Sequence, residues 1–404
     1  MMMRHKRPSC PDCGEYPVNH ANEWFLALSD SLSTPIVMFF EKAVSRVKPR
    51  LVKYMPDRAA MLLFHTLATA RLGEIMNDVD EYDSGRNRWL WDSAKRRGIL
   101  MRQFRFLGKP DGVNFFVAEH NGMTIAFEGL PRPDRGISKS LDWMDNKAIL
   151  KKKFLAARIP MAQGRACSTY RQALRTMRAV GAPVITKPHI GSRSRHSTVG
   201  IKTPEDLAVG FRKAQQLSPW IIVEQELQGY LFRVLLVRGK IAGIIRREQA
   251  HVVGDAVSTV RSLVEAENKN PRRAGPTFHA LPTDAGVDDE LARQNLKWDS
   301  ILARGEVVNL NGHISRYYGG STTDFTDRVH PENKILFERI AEVLGDSLVG
   351  MDFIIGDMER SWREQKLCGV IECNSLPNID LHHDVLYGEN RDVGGLLLDI
   401  AFEK

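Results

Sequence analysis

The stretch LFRVLLVRGKIAGIIRRE, residues 231–248, limits what this chain can fold into: two apolar runs flank Arg238-Gly239. A two-residue break between two such runs reads as a hairpin, so the fold must hold antiparallel pairs. The pattern recurs in NFFVAEHNGMTIAFEGLP, where Asn121-Gly122 is the turn. Helical stretches lie around these hairpins. NKAILKKKFLAARIP is expected to be a helix stopped before Pro160, and PENKILFERIAEVLG another. TPEDLAVGFRKAQQL has Thr203 as N-cap with Glu205 and Asp206 in its first turn. PVITKP, WIIVEQEL, MDFIIG and GVIECN read as strands. The fold class is therefore α/β, in the mixed α+β sense.

At 404 residues the chain is too long for one small core, and two or three packed subdomains are expected. Residues 1–21 read as a flexible N-terminal segment. Residues 22–84 read as a helical extension, from the spacing of Trp24, Phe25, Leu28 and Leu32 and again of Met61, Leu62, Phe64 and Leu67. Residues 85–144 form a small α/β unit ending at the loop PRPDRGISKS, and a longer α/β region fills 145–404. No apolar run approaches the roughly 18–20 residues that span a bilayer. The basic start has no apolar stretch behind it, so no secretory signal is read and a cytoplasmic protein is expected.

The net charge of +8 suits nucleotides and carboxylates as well as nucleic acid. Its basic residues fall in short clusters with no nucleic-acid motif, which argues against a nucleic-acid partner. Five cysteines in a chain this size argue against a disulfide framework. Cys10-Pro-Asp-Cys13-Gly has the spacing of one zinc knuckle. Tetrahedral zinc needs four ligands, so His5, His20 or a second chain would have to complete the site. A reduced, flexible segment is the favoured reading.

Chemistry concentrates in two places. In GVIECN, alternation puts Glu372 and Asn374 on one strand face, and Asp352 lies in the preceding strand. Two carboxylates and an amide oxygen suit a hard cation such as magnesium, which fills its octahedron with phosphate oxygens and water. Lys187 ends the apolar run Pro183 to Thr186, and GSRSRHSTVG follows it. That loop, with Gly191 and Ser192 at its start, can turn backbone N–H groups toward phosphate. Neither a P-loop nor a G-x-G-x-x-G motif occurs.

In this order the segments Asp145 to Pro160, PVITKPHIGSRSRHSTVGI, WIIVEQELQG, RREQAHVVGDAVSTVRSLVEAENKNPRR, GGSTTDFTDRVHPEN, GMDFII and GVIECNSLPNIDLHH resemble the ATP-grasp ligases. They look most like the ATP-grasp part of cyanophycin synthetases. Bifunctional glutathione synthetases and N-acetylglutaminylglutamine synthetases are similar too. The resemblance implies two α/β subdomains clasping ATP, 145–225 and 226–404, behind the helical N-terminal extension. It implies ATP and two magnesium ions as cofactors, and a small-molecule carboxylate and amine, such as amino acids or peptides, joined through an acyl phosphate. Lys147 and Lys187 would neutralise phosphate. Glu224, Gln225, Glu226 and Leu227 would form the hinge that pairs with adenine, and Arg233 and Arg247 would face the γ-phosphate or acyl phosphate. Asp352, Glu372 and Asn374 would hold the metal.

Three positions depart from the family pattern. Leu231 stands where an acidic residue usually holds ribose, Ser315 replaces an asparagine, and Asn378 a glycine. The alternatives are a phosphotransferase of the same fold, or a nucleotide-binding module without catalysis. Residues 89–130 and 268–273 are expected to shape the acceptor sites, Arg272 and Arg273 hinting at an acidic substrate. The helical extension is a candidate interface for a homo-oligomer.

Overall fold

A computed structural model describes residues 10–13, 18–29, 57–107, 115–133, 141–144, 147–189 and 195–403. The chain divides into two units. The first takes in Met1–Met55, Leu141–Gln228 and Leu367–Glu372, the second Pro56–Ser140, Gly229–Lys366 and Cys373–Lys404.

In the second unit, β1 (Gly73–Met76), β2 (Leu100–Phe106), β3 (Phe115–His120) and β4 (Met123–Glu128) form an antiparallel sheet in that order. Asn121 (φ 48) and Gly122 (φ 76) turn β3 into β4, both left-handed as this short hairpin requires. β1 interrupts the helical extension expected over 22–84. The helix Asp57–Thr69 ends, the chain turns at Arg71 (φ 58), and residues 73–76 pair with β2. Gly73 permits that approach, because a Cβ there would lie 2.4 Å from the Phe104 ring. The helix Gly85–Arg96, capped by Ser84 on the Asn87 amide, packs Leu90, Trp91 and Ala94 against Met101, Phe116 and Leu130.

The first unit holds β5 (Gly164–Cys167), β6 (Val184–Pro188), β7 (Thr198–Ile201) and β8 (Ile221–Gln225), ordered β5-β8-β6-β7 and antiparallel. The helices Tyr170–Val180 and Pro204–Gln215 cover one face, where Met177, Leu207 and Phe211 meet Val184, Ile221 and Val223. Thr203 caps the second helix by accepting the Asp206 amide at 3.1 Å. Strand alternation sends Lys187, Ile222 and Glu224 to the other face. The described part of the N-terminal segment is packed, which corrects its reading as loose. Pro11–Cys13 form a 3-10 turn, Cys13 is 3% exposed, and a helix runs through residues 20–29.

Back in the second unit, β9 (Tyr230–Val237) and β10 (Lys240–Glu248) close the opening hairpin through Arg238 (φ 48) and Gly239 (φ 74). β11 (His251–Val253) and β12 (Val307–Asn309) pair over a small core containing Val252, Val260, Leu281, Leu291 and Val308. With β13 (Ser321–Asp324), β14 (Leu348–Ile355) and β15 (Gly369–Asn374), the larger sheet runs β13-β10-β9-β14-β15. β9 and β14 are central and almost wholly buried, so both read as near-continuous apolar runs. The helix Pro331–Leu344 covers them, Phe337 meeting Phe353 edge to face at 5.2 Å. No helix among the described residues is long and apolar enough to cross a membrane.

Candidate functional site

In the first unit, everything converges on Glu224, 2% exposed near the end of β8. Ile185 lies opposite it in β6, so Lys187 stands diagonally on the same face. The Lys187 ammonium reaches Glu224 at 2.6 Å. Lys151, from the helix Lys147–Ala156, reaches the second carboxylate oxygen at 2.5 Å and donates also to the Ala162 carbonyl. Burial pushes the Glu224 carboxyl up, but the two ammonium groups outweigh it and hold it below the usual range. The sequence reading missed Lys151, which sits one turn beyond Lys147 and shares its helix face.

Lys147 opens its helix, half-buried, while Gly191 and Ser192 lie outside the described residues. The Gln225 amide donates to the Gln163 carbonyl at 2.8 Å and the Glu226 amide to Pro183 at 3.1 Å. Any backbone pairing with adenine must therefore use other groups of the 224–227 stretch. The Glu226 carboxylate accepts the Gly200 amide at 2.8 Å, and Leu227 is half-buried.

In the second unit, Arg233 on β9 lies directly opposite Asp352 on β14 and opposite Ile245 on β10, which places Arg247 on the same face. The Arg233 guanidinium meets Asp352 at 2.6 and 3.3 Å, and both residues are about 5% exposed or less. Arg247 approaches the same carboxylate at 4.0 Å and donates to the Ile314 carbonyl at 3.3 Å. Asn374 ends β15, and Glu372, two residues earlier on that strand, belongs to the first unit. The Asn374 amide nitrogen is buried with no hydrogen-bond partner among the described residues. A buried, unsatisfied amide N–H fits a neighbour that brings its own acceptor oxygens, as a hydrated or phosphate-bound hard cation does. Cys373 between them is 2% exposed and belongs to the core, as strand alternation requires.

Two histidines close this face. His382 is fully buried over Gly243, where a Cβ would stand 2.6 Å from its Nδ1. Burial, then the charges of Arg233 and His383, push it down to about 3. His383 accepts the Gly394 amide at 2.8 Å and stacks on Trp89 at 5.0 Å. Burial holds it near 4, so both rings are neutral at neutral pH.

Arg272 and Arg273, which hinted at an acidic substrate, both have partners within the second unit, and Arg272 is also exposed. Arg272 donates to the Val385 and Leu386 carbonyls, at 2.5 and 3.1 Å. Arg273 is buried, pairs with Glu267 at 2.7 Å and donates to the His279 and Gly319 carbonyls.

A second cluster gathers Cys10, Cys13, His20 and His196, all within the first unit. Sequence spacing linked only Cys10 and Cys13, with His20 one of the candidates to complete a site, and His196 lies 183 residues from Cys13.

No protein-family model matches the chain. Cyanophycin synthetase from Synechocystis is 32% identical over 331 residues, covering 80% of this chain and 36% of that protein. A glutathione biosynthesis bifunctional protein from Clostridium perfringens is 34% identical over 185 residues, covering 45% of this chain and 24% of its own length. The chain thus spans about a third or less of these curated relatives. Among solved structures, a bifunctional glutathione synthetase from Pasteurella multocida superposes with a TM-score of 0.58 at 23% identity. That likeness covers 78% of this chain and 43% of the other. The fold is that of the ATP-grasp proteins. The chain is an ATP-grasp protein similar to cyanophycin synthetase.

Proposed function

We infer that the chain is an ATP-dependent carboxylate–amine ligase. The observation that carries this is the pair of guanidinium groups, Arg233 and Arg247, on one buried carboxylate, that of Asp352. Such a face offers preorganised positive charge where a transferring phosphoryl group develops negative charge.

In this reading a substrate carboxylate oxygen attacks the γ-phosphorus of ATP. The bond to the β-bridging oxygen breaks, ADP leaves, and an acyl phosphate remains. An amine then adds to the acyl carbon, phosphate departs with the bonding electrons, and the amine proton passes to solvent, leaving an amide. Lys147 and Lys187 neutralise nucleotide phosphate, residues 224–227 seat the base, and Arg233 and Arg247 hold the transferring group. Asp352, Glu372 and Asn374 would hold magnesium, which when bound neutralises the phosphate oxygens. Similarity to a cyanophycin synthetase and to a glutathione biosynthesis protein supports amino-acid or peptide substrates. The protein supplies positioning and charge and needs no covalent nucleophile.

The test is phosphate release from ATP across pools of amino acids and small peptides, with mass detection. Expected is release that requires both an acid and an amine, with a product lighter than their sum by one water. Arg247→Met should lower that turnover by about 100-fold or more. A stable phosphorylated product without amide would replace the ligase with a phosphotransferase. Absence of turnover across all pools would leave a binding module.

A further inference from the structure

We propose that Cys10, Cys13, His20 and His196 form a structural zinc site that fastens the N-terminal knuckle to the first unit. Their four ligand atoms lie within 4.8 Å of one another. Cys13 Sγ stands 3.1 Å from His20 Nε2 and 3.4 Å from His196 Nε2, and Cys10 Sγ stands 3.7 Å from His196 Nε2. Tetrahedral zinc, with Zn–S near 2.3 Å and Zn–N near 2.0–2.1 Å, sets its sulfur and nitrogen ligands about 3.5 Å apart. The observed separations bracket that value. A lone thiol–imidazole hydrogen bond needs two such groups, whereas four converge here, of the types and number that a closed structural zinc site uses.

The surroundings orient the set independently of any metal. His196 Nδ1 faces the Lys213 carbonyl at 2.8 Å. That contact places the proton on Nδ1 and leaves the Nε2 lone pair aimed at the thiols, as metal-bound histidines require. The His196 amide donates to the Asp12 carbonyl at 3.2 Å, and the Cys13 amide to Cys10 at 3.1 Å. Asp12, between the cysteines, pairs with Lys213 at 2.7 Å. His196 is held at φ 52, a left-handed conformation unusual for a residue with a side chain. The knuckle thus fixes its backbone and the Lys213 carbonyl its ring.

Cys13 and His196 are 3% and 0% exposed. On binding, each cysteine loses its thiol proton to solvent, and two thiolates offset the charge of Zn2+. The buried group is then neutral. Because His196 is 183 residues from Cys13, the metal would close a long loop, where a clip restricts the unfolded chain most.

The whole chain, purified under reducing conditions without chelator or metal-affinity tag, should carry about one zinc per chain by elemental analysis. Stripped protein given Co2+ should show the visible bands of tetrahedral cobalt and a near-ultraviolet thiolate charge-transfer band. Chelation should lower the melting temperature. His196→Ala should lower the metal content at least tenfold, whereas Cys368→Ser, a buried thiol outside the cluster, should keep it full. If His196→Ala fails to fold, the cobalt spectrum of the unaltered chain decides. Zinc below about a tenth per chain, with no tetrahedral cobalt spectrum on reconstitution, would overturn the proposal. So would a Cys10–Cys13 disulfide that persists in reductant.

Discussion

Glu224 in the first unit and Asp352 in the second each anchor two cations, but the cations differ. Glu224 holds two lysines and Asp352 two arginines. A buried lysine can lose its proton when its counter-ion is removed, whereas a guanidinium stays charged at any working pH. The lysine arrangement therefore has an escape that the arginine arrangement lacks, and the two should fail differently when the carboxylate is taken away.

The largest effect is expected from Asp352→Ala, which strands the buried Arg233 charge. The loss should be about 3–5 kcal/mol by urea denaturation, unchanged between pH 7 and pH 9. A loss that shrinks as pH rises would erase the distinction. Glu224→Gln should cost a similar amount near pH 7 and less above it. Neutralising one lysine costs about 1.4 kcal/mol per pH unit below its usual value, which sets a ceiling of about 2 kcal/mol at pH 9. The variant's native state would release a proton that its unfolded chain keeps, so its stability rises with pH. In the unaltered protein, Glu224 is held below 4.5, so its contribution is full above that pH and fades as acid protonates it.

His382→Leu gives the smallest change and reports on the arginine side alone. His382 titrates near 3 when folded and near 6.5 when unfolded, so stability is full above 6.5 and falls as pH drops toward 3. The loss should reach about 2 kcal/mol by pH 5. Leucine should remove that part of the acid sensitivity, leaving the part due to His383. An unchanged slope of stability against pH would show that His382 is already charged in the native state.

Both hairpins were legible because their turns are short and local: Asn121-Gly122 and Arg238-Gly239 occupy the left-handed conformations that the sequence implies. Thr203 was legible for the same reason, since a cap acts within one helical turn. β1 was not. Four residues follow a helix with strong periodicity, and what makes them a strand is pairing with residues 103–106. The run Lys151 to Lys153 hides which ammonium is buried, because burial is decided by Glu224 far along the chain. His196 lies in the loop read as a phosphate cradle, and the turn at residues 10–13 gives it another setting. Asp352 could be tied to Arg233 only once the strand order was known.

The contact of Gly243 with His382 bears on how this sequence can drift. A methyl group at 243 would sit within 2.6–3.2 Å of three imidazole atoms. The ring is enclosed, with no room to step aside. A larger residue at 243 can thus be accepted only together with a smaller one at 382. In diverging descendants of this chain the two positions should change as a pair, although 139 residues separate them.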